Sequence, residues 1–465
     1  MTAHHMTAAE LRARGHQMVD WVAEYMEGVE DLPVLSRVEP GWVTAQLPPS
    51  APEQGESFEA VIADLDRIVV PGLTHWQSPR FFAYFPANTS GPSILGELAA
   101  AGLGVQGMLW ATSPACTELE SVVLDWVAQL LDLPDRFRMG GPGGGVIQDS
   151  ASSAALVALL AARDRARSRG AALDDLVVYV STQTHSSLVK GARIAAIPSV
   201  RSVDVDDRYA IGVDALARAM DEDVAAGRVP AMVCGTVGTT SSHAIDPLGA
   251  MGELCLRHDA WFHVDAAHLG IAGICPEMAW VNDGLEHADS YTTNAHKWLF
   301  TNFDCSLMWV ADRAPVLESL SILPDYLRNE ATESGSVIDY RDWQVPLGRR
   351  FRALKLWMVL RHYGADGLRH QLREHLALAA DLAERFEADA RFELAAPVPA
   401  TLLCVRLLAG DEASRRLLDA INGTGRAYLS HAVLDGDHVI RISIGSTLTT
   451  SRHVDELWSL FDELA

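Results

Sequence analysis

From about Gly91 onward the chain alternates between two kinds of apolar pattern, and this alternation limits its fold more than any other feature. Short runs rich in β-branched residues, "LVVYV" (176–180), "AMVCG" (231–235), "WFHV" (261–264) and "SLMWV" (306–310), are separated by helical periods such as "SASSAALVALLAARDRARSRG" and "VDALARAMDEDVAAGR". A strand that is apolar along its whole length has no face for water, so it belongs in a sheet covered on both sides. Strands joined through helices run parallel. The expected class is α/β, a mostly parallel central sheet covered by helices.

The flanks differ. A capping box from Thr7 to Glu10 opens a helix with Leu11, Met18, Val22, Tyr25, Met26 and Val29 on one face, and "EDLPVLSRVEPGWVTAQLPPSAP" then breaks helix repeatedly with proline. Such a segment packs poorly on itself, so residues 1–85 are expected to form a helical arm that docks on another surface, a second subunit. The alternative is a helix folded back on its own core. Residues 86–366 form the expected large domain. After Gly364–Gly367 a charged helix and the runs "ATLLCVRL" and "HVIRIS" suggest a small α+β domain over 367–465.

Composition excludes several classes. A net charge of −24 disfavours nucleic acid and anionic membrane as partners. No apolar run is long enough and free enough of charge to span a bilayer, and the N-terminus lacks a signal-type apolar core. The six cysteines are scattered without metal-like spacing, which suits a reduced, cytoplasmic protein.

In open α/β sheets ligands sit beyond the carboxyl ends of the strands, and four groups of residues fall at such positions. "GGPGGGVIQDSASSAAL" (140–156) is read as a glycine-rich turn running into Ser150, Ala151 and Ser152 at a helix start, a place where backbone amides and the helix dipole attract an anion. It lacks the endings of nucleotide-binding loops, and a flexible connector is the rival reading. "HVDAAHLG" (263–270) places Asp265 at a strand end, fit to hold a protonated ring nitrogen; His263, Asp265 and His268 could instead ligate a metal in a hydrolase. His185 follows the strand at 176–180, where an ordinary hydrogen-bonded histidine is the plain alternative. In "TTNAHKWLF" (292–300) Lys297 adjoins Trp298, Leu299 and Phe300. It could lay its stem on Trp298 and keep its head in water. Alternatively, burial lowers its proton affinity and makes it a nucleophile. A phosphate cradle, an anion for a ring nitrogen, a flat polar cap and a reactive amine are together what pyridoxal phosphate requires.

The blocks "FFAYFPANTSGPS", "SPACTELE", "GGGVIQDSAS", "HVDAAH", "NAHKW", "NFDCSLMWV" and "DYRDWQVPLGRRFRALKLW", in order over residues 75–365, resemble the pyridoxal-phosphate-dependent aromatic L-amino acid decarboxylases. The resemblance implies a type I, aspartate aminotransferase-like fold and a homodimer with active sites at the interface. It implies that Lys297 forms the Schiff base, Asp265 pairs with the pyridinium, Ala267 lies under the ring and His185 stacks over it. Ser150, Ala151, Ser152, Asn294 and His296 would cradle the phosphate, with Thr240 close by. Tyr326 would protonate the substrate carbon from a mobile loop that closes over the site. Trp76, Tyr84, Phe85, Pro86, Ala87, Met108, Gly348 and Arg349 would face the substrate, and no metal is required.

The implied reaction is simple decarboxylation, because relatives that act as aldehyde synthases replace the loop tyrosine by phenylalanine or the stacking histidine by asparagine, and Tyr326 and His185 are both present. Gly348 matches relatives with large aromatic substrates. Ala87 stands where animal dopa decarboxylases have a hydroxyl for the catechol, so tryptophan or phenylalanine is expected to outrank dopa and tyrosine. Asp149 precedes the cradle where animal relatives have glycine, and is expected to point away or to cap the helix.

Overall fold

Seven strands build the central sheet of the computed structural model, which describes residues 5–322, 330–333 and 337–465. They are β1 (Gly144–Gln148), β2 (Leu176–Ser181), β3 (Ser199–Val203), β4 (Val229–Thr236), β5 (Trp261–Asp265), β6 (Ser290–Asn294) and β7 (Ser306–Val310). In space they run β1-β7-β6-β5-β4-β2-β3. All pairings from β6 to β3 are parallel, while β7 is antiparallel to β6 and β1. Six of the seven strands therefore end at one edge, and the site is there.

Burial on both faces accounts for the continuous apolar runs. Leu176, Val178 and Val180 of β2 pack with the small residues Ala154, Ala155, Ala158, Ala161 and Ala162 of the helix Ala151–Ser168, whereas Val177 and Tyr179 enter the core on the opposite face. The four runs recognised in the sequence are β2, β4, β5 and β7. The polar strand β6, "SYTTN", gives no apolar signal although every residue of it is buried. Its Ser290 hydroxyl bonds Trp261 Nε1 and His263 Nδ1, both at 2.8 Å, and Asn294 Oδ1 accepts from Ser306.

The glycine-rich segment is not a turn that runs into Ser150. Strand β1 occupies 144–148, so about 16 Å of extended chain separates the glycines from Ser150. A Cβ at Gly143 would collide with the carbonyl oxygens of Val310 and Arg136, and one at Gly145 would stand 2.7 Å from the Trp309 indole nitrogen. These glycines let neighbouring chain approach the start of β1. They do not cradle an anion.

At the N-terminus the Thr7–Glu10 capping box starts the helix Ala8–Gly28, none of whose residues is buried. A further helix, Phe58–Asp64, capped by Ser57 and unmarked in the sequence reading, lies alongside it. Arg14 pairs with Glu59, Trp21 Nε1 donates to Asp66 at 2.9 Å, and Tyr25 bonds His75 at 2.9 Å.

The helix Arg352–Ala388 is broken at Gly364, whose φ of +63° and ψ of 173° are not helical. Beyond it lies a second, antiparallel sheet of β8 (Phe392–Leu394), β9 (Leu402–Leu407), β10 (Ser430–Leu434) and β11 (Asp437–Ser443), in the order β10-β11-β9-β8, with helices Asp411–Thr424 and Ser451–Leu464. The sequence showed two of these four strands. Among the described residues no helix is long and apolar enough to cross a membrane.

Candidate active site

A cavity of about 240 Å³ lies at the carboxyl edge of the large sheet, lined by Phe85, Ser150–Ser152, His185, Ser187, Thr236, Gly238, Thr240, Asp265, Ala267, His268, Asn294, His296 and Lys297. A larger surface groove of about 910 Å³, between Glu277, Arg373 and Ala400, contains none of the candidate groups. The chain has three lysines, and Lys297 is the one that lines the cavity; Lys355 is buried against Glu97 at 2.9 Å, and Lys190 is exposed.

Each wall of the cavity follows from a strand ending there. The turn Ala295–Trp298 comes straight off β6 and is held by Asn88, whose Nδ2 donates to the Lys297 carbonyl at 2.8 Å and whose own N–H bonds the His296 carbonyl at 2.8 Å. Trp298 is fully buried, stacked on His268 and donating to His375 at 3.0 Å, so it anchors the turn while Lys297 faces the cavity. The snorkelling alternative therefore does not hold. Burial lowers the proton affinity of the Lys297 amine; Asp265 opposes this and Arg441 adds to it.

Asp265 ends β5, in register with Thr236 of β4 and Thr292 of β6. It is 6 % exposed, and its Oδ1 accepts the Ala267 N–H at 3.1 Å, which fixes the carboxylate beside Ala267 in the cavity wall. His185 sits in the turn after β2. The Ser187 N–H donates to its Nδ1 at 3.2 Å, so the neutral ring carries its hydrogen on Nε2. Partial burial lowers its proton affinity, Asp265 raises it and Lys297 lowers it further.

Ser150 is the N-cap of the helix Ala151–Ser168 and accepts the Ser153 N–H at 3.2 Å. The first amides of a helix have no intrahelical partner, and Ser150, Ala151 and Ser152 line the cavity, an arrangement that suits an anion. Asp149 is not the cap: its Oδ1 accepts from the Ser150 hydroxyl at 3.1 Å, and the residue does not line the cavity. His296 accepts the Cys305 N–H through Nδ1 at 3.1 Å, and its proton affinity is pushed down to about 4 by burial, with Lys297 adding to the effect.

His263, Asp265 and His268 do not converge as a metal set. His263 Nδ1 is bonded to Ser290, His268 Nδ1 lies 3.2 Å from His243 Nε2, and no group of three His, Cys, Asp or Glu able to hold a metal occurs among the described residues.

Of the expected substrate contacts, Phe85 lines the cavity. The chain turns sharply there, with Tyr84 at φ +52° and 50 % exposed while Phe85 is buried. Trp76 stacks on Phe81 and Tyr84 outside it. Pro86, Ala87, Met108 and Gly348 are not in its wall. Arg349 is sealed in an ion pair with Glu120 and does not reach the cavity. Tyr326 and most of its loop lie outside the described residues. Ser187, Thr236 and Gly238 line the cavity without having stood out in the sequence; their positions follow from strand register, which a linear pattern does not reveal.

The residues present fit pyridoxal phosphate: one amine and one carboxylate line the same cavity as Ala267 and the N-terminus of the helix Ala151–Ser168, with Thr236 Oγ1 and His268 Nε2 buried and unbonded. Comparison with known proteins agrees. Residues 40–408 match the family model for the pyridoxal-dependent decarboxylase conserved domain. The chain is 48 % identical to tyrosine decarboxylase 2 of Narcissus pseudonarcissus, over 99 % of this chain and 95 % of that one. It is 49 % identical to phenylacetaldehyde synthase of Arabidopsis thaliana, over 99 % and 96 %. The crystal structure of Oryza sativa TDC with PLP and tryptamine superposes with a TM-score of 0.97 at 42 % identity, covering 100 % of this chain and 99 % of that one. With its type I fold and its cavity built around a lysine and an aspartate, this chain belongs to the pyridoxal-dependent decarboxylases, carboxy-lyases whose cofactor is pyridoxal 5'-phosphate.

Proposed function

We propose that the chain decarboxylates aromatic L-amino acids to the arylalkylamine and carbon dioxide, with tryptophan or phenylalanine preferred over tyrosine and dopa. The observation that carries this reading is the placement of Lys297 and Asp265 in one cavity walled by Phe85 and His185. The cofactor, when bound, supplies an electron sink for the pair left by departing carbon dioxide. Lys297 would hold it covalently, Asp265 would keep its ring nitrogen protonated, and Ser150–Ser152, Asn294 and His296 would hold its phosphate. His185, hydrogen on Nε2, would cover the ring. Tyr326 would deliver the proton that replaces the carboxylate.

Oxidative release of an aldehyde is the second reading, because relatives of both kinds stand at the same level of identity. The presence of Tyr326 and His185 supports decarboxylation alone. The arm of residues 1–85, with Leu11 and Val19 exposed on its helix, would clasp a second copy, as would Leu95, Leu98 and Leu103 of the helix Gly91–Leu103, between them exposing a broad apolar face. Trp76, Met108 and Gly348, outside the cavity of their own chain, would then face the substrate from across that interface, in a cytoplasmic homodimer.

The experiment is a panel of tryptophan, phenylalanine, tyrosine and dopa, measuring kcat/KM and the yields of amine, carbon dioxide, peroxide and ammonia. Amine and carbon dioxide in equal amounts without peroxide are expected. Peroxide and ammonia in step with carbon dioxide would establish the second reading, and a marked dopa preference would defeat the substrate order.

A further inference from the structure

Arg441, in β11 of the small domain, is 3 % exposed and has no carboxylate within ion-pair distance among the described residues. Its Nη1 donates to Ser430 Oγ at 2.9 Å, and its Nε and Nη2 find no acceptor. A buried cation without a counter-ion is destabilising, so its presence calls for a use.

Its surroundings suggest one. The guanidinium carbon lies 5.4 Å from the centre of the Phe85 ring, and the Lys297 amine lies 5.2 Å from the same centre. The ring is not free to move aside: His268 stacks on it at 4.0 Å, and His268 is itself pinned by Trp298 and His243. Arg441 is not in the cavity wall, so it acts on the cavity by its field.

We propose that Arg441 is a positioning residue for the Lys297 nitrogen: its uncompensated charge, held against the same aromatic ring, disfavours a second positive charge there and keeps that nitrogen unprotonated. This rests on the reading of Lys297 as the cofactor-bearing lysine. A neighbouring cation and a dry wall are the two ways in which a lysine is activated, and both are present. The other groups facing Lys297 are Asp265 at the end of β5, which works against Arg441, His185 after β2, His268 after β5 and His296 on its own turn. All three histidines are displaced towards the neutral form. The fixed positive charge is therefore that of Arg441.

The test is a pH titration of the visible absorbance of the holoenzyme, in the parent, Arg441→Met and Arg441→Lys; Arg441→Gln, which keeps a donor for Ser430, serves should the methionine variant not fold. Loss of the charge is expected to raise the titration midpoint by about one pH unit, lowering the unprotonated fraction at neutral pH about tenfold. Arg441→Lys should stay near the parent. An unchanged midpoint in Arg441→Met overturns the proposal, as does an equal shift in both variants, which would mark a packing effect. A raised KM with an unmoved midpoint also overturns it, and would assign the guanidinium to the amino-acid carboxylate. Borohydride reduction of the parent followed by peptide mapping separates the two readings: cofactor found on Lys190 or Lys355 refutes the role of Lys297 itself.

Discussion

Arg349 and Glu120 form an ion pair sealed in the protein interior, with their side chains 0 % and 1 % exposed. The guanidinium also donates to Gln344 Oε1 at 2.9 Å, and the Glu120 carboxylate accepts the Ile147 N–H at 2.8 Å. The pair thus ties the helix Pro114–Leu130 and the segment before Arg352 to β1, the strand that leads to Ser150. Arg349, expected from the family resemblance to face the substrate, supports the scaffold of its own chain.

Removing one partner of such a pair leaves a buried charge without compensation. Arg349→Met should cost about 3–5 kcal/mol in urea denaturation. The double variant Arg349→Met/Glu120→Gln should recover a large part of that loss. A single variant as stable as the parent would contradict the structural role.

Lys297→Ala should reduce kcat by about a thousandfold or more and abolish the lysine-linked absorbance of the bound cofactor. With the cofactor removed from both, its resistance to urea should match the parent, because the substitution removes a partly desolvated amine whose side chain makes no hydrogen bond among the described residues. Spectra and single-turnover kinetics check both.

Ser150→Ala removes the N-cap of the helix Ala151–Ser168. A stability loss of about 1 kcal/mol is expected, together with weaker retention of the cofactor on dialysis. Ser150→Asp restores a cap acceptor but adds a negative charge where phosphate is expected. It should therefore recover stability and lose cofactor affinity further; equal affinity in both variants would place the phosphate elsewhere.

Acid should unfold the protein through its buried histidines. Burial pushes His243 down to about 3 and His263, His296 and His375 down to about 4. In the unfolded chain they bind protons below about pH 6.5. The native form binds fewer protons between these values, so stability rises with pH across that window. The stabilisation is fully present above about pH 6.5 and is lost as pH falls through 4, on the order of several kcal/mol in sum. Thermal midpoints at pH 7.5, 6 and 5 should fall in that order. His375→Gln, which keeps an acceptor for Trp298 Nε1, should flatten the slope.

The sequence by itself determined the class of fold, because strands buried on both faces must be apolar throughout, and β2, β4, β5 and β7 are. It also marked Asp265 and His185, which end or follow such strands, because the edge at which parallel strands end is where a ligand fits; Ser150 stood out as a helix start and Lys297 by its apolar neighbours. Only the tertiary structure decided the rest. Strand β6 was silent because its buried polar residues are satisfied by Trp261, His263 and Ser306, far away in the chain. Gly143 and Gly145 lost their assigned role because their neighbours, Val310 and Trp309, come from β7. Arg349 and Arg441 look alike as letters. One is neutralised by Glu120 and the other meets no carboxylate among the described residues, and charge compensation of that kind depends on which side chains the fold brings together.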